Sequence, residues 1–186
     1  MNPRKMIGAA IGATFLGLAA FVAIEGHHAI LRDDDYGEDD EDEGDRGAVA
    51  RALTFAKVSL QQGLATSELE GQPISGKFEV DRGNFQLSVH TLKDGKFFEV
   101  LVDYSTGNIA KVTPITERDD LAAAQSHSAA MVKAKTGLRE IVDKAIRETP
   151  GFRAVAVAPH LKEGRPVASV LFFKSEEFKV VNQTMD

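Results

Sequence analysis

Along the chain, apolar and polar positions fall into a long uncharged run, a charged block, and two stretches where helical spacing gives way to strand spacing. In the first stretch Val49, Leu53, Ala56 and Leu60 recur at helical intervals and predict an amphipathic helix over 48–62. Strict alternation follows, with Ile74, Phe78 and Val80, then Phe85, Leu87 and Val89, then Phe98, Val100, Val102 and Tyr104. A last short strand is expected from Ile109 to Thr113. The turns between them, Asp81-Arg82-Gly83-Asn84 and Lys93-Asp94-Gly95-Lys96, place glycine where a tight hairpin needs positive φ. This pattern is one helix followed by an antiparallel meander.

Pro114 interrupts the pattern, and it then begins again. Thr116, Asp119 and Asp120 suit a helix start, and 121–148 is rich in strong helix formers. Leu121, Met131, Leu138, Val142 and Ala145 are expected to share a broad face, with Gly137 as a weak point or kink and Pro150-Gly151 as the stop. Strands follow at Phe152 to Ala158, Val167 to Phe173 and Phe178 to Val181, the first two joined by a loop holding Lys162-Glu163-Gly164-Arg165. The expected fold class is α+β: two tandem modules of helix plus antiparallel meander, at 48–115 and 116–186.

These modules resemble the PepSY family. The first carries the resemblance in the helix around Ala52 to Gln62, in the hairpin Phe85 to Val102 broken at Asp94-Gly95, and in its ending, Phe98-Glu99-Val100-Leu101-Val102-Asp103-Tyr104-Ser105-Thr106-Gly107-Asn108-Ile109. The second keeps the helix ending near Pro150-Gly151 and the hairpin about Gly164, but lacks the Asp-x-x-Thr-Gly close. The resemblance implies a module that restrains peptidases or senses ligands in the envelope, with no family-wide catalytic residues to carry over.

Ahead of the modules, Arg4 and Lys5 precede nineteen uncharged residues, Met6 to Ile24, and an acidic flank follows. This arrangement is that of an export signal, expected to leave the rest of the chain in the bacterial periplasm. The run is near the length of a membrane-spanning helix, and Gly17-Leu18-Ala19 or Leu18-Ala19-Ala20 offers small residues for a peptidase. Residues 1–25 therefore read as either a signal peptide or a signal anchor. Gly8 and Gly12 form one G-x-x-x-G, which either packs two helices closely or reflects the small residues common in such segments.

Charge is strongly segregated. Up to Asp45 there are three basic and eleven acidic residues, net −8, while the remainder carries nineteen basic and seventeen acidic, net +2. Ten of the thirteen residues Asp33 to Asp45 are Asp or Glu. Such a block repels itself and buries nothing, so 26–47 is expected to be a solvated acidic linker. The alternative is a cation or small-ligand sensor in which this block, with Glu25, His27 and His28, takes up a hard cation; the EF-hand order is missing. The near-neutral remainder gives no electrostatic case for nucleic acid. With no cysteine, thiolate chemistry and disulfides are excluded.

No H-E-x-x-H, G-x-S-x-G, P-loop or dinucleotide glycine motif occurs. His90 falls opposite the apolar set of its strand and is expected at the surface. His127 lies between Ser126 and Ser128, but adjacent helical residues point about 100° apart and do not pair as nucleophile and base. His160 is expected in a loop and is the one histidine left open to a binding role. Asp103 is explained by turn formation before Ser105-Thr106-Gly107, although a strand-closing aspartate is also a conceivable base. No cofactor is called for, and the metal question stays open. Candidate recognition residues are therefore Phe97, Glu99, Leu101 and Asp103, on the outward side of the third strand, together with His160. Leu101 and Phe97 are more apolar than a solvent face requires, so either the second module or a partner should cover them. The expected function is a non-catalytic envelope binding or regulatory protein that engages an envelope protein, such as a peptidase, or a peptide segment, through its sheet.

Overall fold

The computed structural model describes residues 46–186. The export signal, its glycine pair, and the acidic block with Glu25, His27 and His28 lie outside the described residues. Among the described residues no helix is long and apolar enough to cross a membrane.

The expected helix over 48–62 is instead two pieces. Residues 46–52 are helical and run into a 3-10 turn, Leu53–Phe55, after which Ala56 is extended. A new helix, α1 (Leu60–Ser67), starts because Ser59 and Gln62 form a reciprocal cap: the Ser59 hydroxyl accepts from the Gln62 amide, and the Gln62 side chain accepts from the Ser59 amide. That box satisfies two of the donors a helix start leaves open, so it overrides the longer periodicity. Four strands follow, β1 (Gln72–Asp81), β2 (Asn84–Lys93), β3 (Lys96–Val102) and β4 (Ile109–Pro114). The stretch 121–148 is likewise not one helix but α2 (Arg118–Lys133) and α3 (Leu138–Glu148). Ala134 and Gly137 are extended between them, and the Lys135 and Thr136 amides donate to the Met185 carbonyl, so the C-terminal tail holds the break open. The second meander is β5 (Arg153–Lys162), β6 (Arg165–Lys174) and β7 (Glu177–Thr184).

The two meanders are one sheet. Its order is β4-β3-β2-β1-β5-β6-β7, all neighbours antiparallel, and the halves meet where β1 pairs with β5 through Gly76 with Val157 and Lys77 with Ala156. The register lines up one row across all seven strands: Val112, Val100, Val89, Gly76, Val157, Val170 and Val181. This row belongs to the apolar face, which α1 and α3 cover side by side. Leu60 and Leu64 of α1 and Leu138, Ile141, Val142 and Ala145 of α3 are buried there. Arg153 ties the halves further: its guanidinium donates to the carbonyls of Leu53 (3.0 Å) and Val58 (2.8 Å) and lies over the Phe78 ring.

The hairpins use glycine as expected. Arg82-Gly83, Asp94-Gly95 and Glu163-Gly164 each place two successive residues at positive φ, the geometry that matches the twist of paired strands. The β6–β7 turn does the same with Ser175 (φ 47) and Glu176 (φ 76), where an L side chain costs about 1–2 kcal/mol. Glu176→Gly should therefore stabilise the fold by about 1 kcal/mol, raising the thermal midpoint by about 2–5 °C. In contrast, a Cβ on Gly63 would stand 2.3 Å from a Leu87 methyl in the core. Gly63→Ala should cost about 1–3 kcal/mol by denaturant titration, because Leu87 is fully buried and has no room to retreat.

Candidate functional site

The face of the sheet opposite the valine row carries polar residues in register. Ser75, His90, Glu99 and Thr113 stand in one cross-strand row, and Lys77, Ser88 and Leu101 in the next, with Ala156 on the far side of Lys77. Alternation alone makes these positions solvent-facing, yet Ser75, Ser88 and His90 are at most 1% exposed and Glu99 is 8% exposed. The cover is α2. Its buried residues Asp120, Ala124, His127 and Met131 recur at helical spacing on one side, and it packs on β5, β1 and β6. Ala156 and Ala158 of β5 are buried on this face, with Leu171 packed against them.

Within this layer the charges are partly matched. Lys77 and Glu79 form an ion pair at 2.6 Å with both side chains little exposed, and Gln86 donates to Glu79. The Ser88 hydroxyl donates to Glu99 at 2.9 Å. Burial pushes the Glu99 carboxyl above its usual range, an effect that the Ser88 bond opposes and that Glu79, Asp120 and Asp81 reinforce.

Three histidines from three elements complete the layer: His90 on β2, His127 on α2 and His160 on β5. Burial holds His90 well below the ordinary histidine range, with His127 and Lys77 adding to the shift. Burial likewise lowers His127 to about 4, helped by His160 and Lys77. His160 is lowered by burial and by Lys162, while a backbone bond at Ala158 works the other way. At neutral pH the row is therefore uncharged. Each Nδ1 is without a hydrogen-bond partner among the described residues, although His90 and His127 are engaged in other interactions. Among the described residues no group of three or more His, Asp or Glu side chains is placed to hold a metal ion.

Two histidine expectations are thus corrected: His90 is buried and not at the surface, and His160 lies within β5 and not in a loop. His127 lies on a helix, as expected, and is buried there. Of the proposed recognition residues, Glu99 is enclosed, and Phe97 and Leu101 are half-buried. Phe97 packs against the main core. Asp103 belongs to its turn: one carboxylate oxygen accepts from the Ser105 and Thr106 amides and the Thr106 hydroxyl, which holds its carboxyl below the usual range. The fold brings Glu99 and His160 into the polar layer and leaves Asp103 at the end of β3.

Sequence reasoning missed Lys77, Glu79, Ser88, Asp120 and His127 as members of one layer, because a half-buried strand and a doubly covered one share the same period. The available signal was in α2, whose Ala124, His127 and Met131 form a weak stripe needing a surface without large side chains.

No family model matches the chain, and no curated protein matches it. Among solved structures, it is similar to one described as a "putative lipoprotein" from Clostridium difficile 630, with 10% identity over 64% of this chain and 78% of that one and a TM-score of 0.38. Likeness at that level assigns no function.

The Ser88–Glu99 bond gives a test of the layer. Ser88→Ala should destabilise the protein at pH 7 by about 1.5–3 kcal/mol, since a buried carboxylate loses its donor. Glu99 takes up its proton earlier in the folded than in the unfolded state, so the folded state binds more protons as pH falls. The deficit of the variant should accordingly shrink as Glu99 becomes neutral, which denaturant midpoints from pH 7 to 4 would read out.

Proposed function

We propose that this chain is a non-catalytic binding and regulatory protein of the bacterial envelope, PepSY-like in both halves, that takes an extended segment of a partner protein such as a peptidase. The observation that carries the reading is the open edge at β4. Its outer backbone pairs with no strand among the described residues, Ala110, Lys111, Val112 and Pro114 are exposed, and the valine row ends there at Val112, 38% exposed. An extended segment added to β4 would continue the sheet by main-chain hydrogen bonds and the apolar row by every second side chain. Lys111 and Pro114 discourage indiscriminate pairing at such an edge, so the partner must be complementary. The repeated order of helix and meander in each half supports the PepSY resemblance, and the uncharged run Met6 to Ile24 supports export to the periplasm, soluble or held by that segment.

The test is to probe an array of extended ten-residue segments from envelope peptidases with the full chain, and to map any binder by amide shifts. Binders should shift residues 109–114, and Val112→Lys should weaken them at least tenfold while leaving the thermal midpoint unchanged. Failure of every segment to bind, together with unaltered peptidase activity in the presence of the chain, would sink the reading.

A further inference from the structure

The β4 edge gives an incoming strand less regular backbone than its length suggests. Val102 pairs with Ile109 and Leu101 with Lys111, so Ala110 stands outside the register as an extra residue. Such a bulge bends its strand and leaves one residue unpaired. At the other end Pro114 has no amide hydrogen to donate. Regular outward backbone is thus confined to Lys111, Val112 and Thr113. Val112 ends the valine row on the apolar face, and the residues on either side of it end two rows on the polar face.

Those two rows differ in charge. Thr113 stands beside Glu99, whereas Lys111 stands beside Leu101, with Ser88 and then Lys77 behind it. Lys111 is exposed and, among the described residues, joins no ion pair. The carboxylates diagonal to it are engaged elsewhere: Glu99 takes the Ser88 hydroxyl and is 8% exposed, and one oxygen of Asp103 takes the Ser105 and Thr106 amides. An added strand therefore meets an unpaired cation at one polar position and, two residues along, a carboxylate behind a threonine.

Taking β4 as the edge that accepts a partner segment, on which this step rests, we infer that it selects an extended acidic and apolar sequence: a β-branched apolar residue facing Val112, followed directly by Asp or Glu facing Lys111. The order comes from strand direction. All neighbours in the sheet run antiparallel, and an antiparallel segment that enters at Thr113 faces Val112 next and Lys111 after it. The acid is accordingly C-terminal to the apolar residue. A carboxylate facing Lys111 makes a cross-strand pair of opposite charge, whereas one facing Thr113 lies on the row of Glu99 and finds no cation. Lys111 determines specificity, and Val112 supplies the apolar contact common to every binder.

Four end-blocked ten-residue peptides, identical except for Thr-Val-Glu, Thr-Val-Gln, Thr-Val-Lys or Glu-Val-Thr at the centre, test the selection when titrated into the full chain and followed by the amide shifts of 109–114. Thr-Val-Glu should bind about two- to fivefold more tightly than Thr-Val-Gln and Glu-Val-Thr, with Thr-Val-Lys weakest, the size of effect that one exposed cross-strand charge pair gives. The preference should shrink in about 1 M salt, where screening acts within about 3 Å. Lys111→Glu should reverse it, making Thr-Val-Lys the tightest and leaving Thr-Val-Gln unchanged. Equal affinities at 109–114, or a preference for Thr-Val-Glu that survives Lys111→Glu, would overturn the selection and leave strand addition standing. No shift at 109–114 with any peptide would remove strand addition and the selection together.

Discussion

The fold depends on a close approach at its centre, where α1 crosses the seam between the two halves. Gly76 sits in the middle of the valine row, and the position a Cβ would take there is 3.2 Å from a Leu64 methyl and 3.5 Å from one of Leu60. A valine at this point, the residue that the rest of the row uses, would push the helix off the sheet. Leaving the side chain out lets two fully buried leucines cover β1, β2 and β5 together, which joins the halves by packing as well as by a seam of only two residue pairs. Arg153 acts in the same place from the other direction, donating to the Leu53 and Val58 carbonyls on the stretch between the 3-10 turn and α1.

The two faces of the sheet are held by different physics. The apolar face is stabilised by burial of branched side chains, a term insensitive to pH and graded by area. The polar face is stabilised only where each buried group is matched, and a covered polar layer is weak evidence for stability, since similar apolar packing does as well or better.

From the sequence by itself came every strand, the glycine hairpins, the α+β class and the repeat of helix and meander, because each rests on local alternation and turn chemistry that neighbours cannot easily override. The break after Ala134 was hinted at by Gly137 alone, since the partner that fixes it, the Met185 carbonyl, is fifty residues away. What only the tertiary structure decided was which residues would meet. Period two says that His90, Glu99 and Ser75 share a face, but not whether water or a helix lies over it, and the restart of α1 at Ser59 likewise depended on a cap competing with a longer apolar stripe. The fusion of two meanders into one sheet, and the polar layer that follows from covering both of its faces, are decided by contacts between segments about eighty residues apart, for which a one-dimensional pattern carries no term.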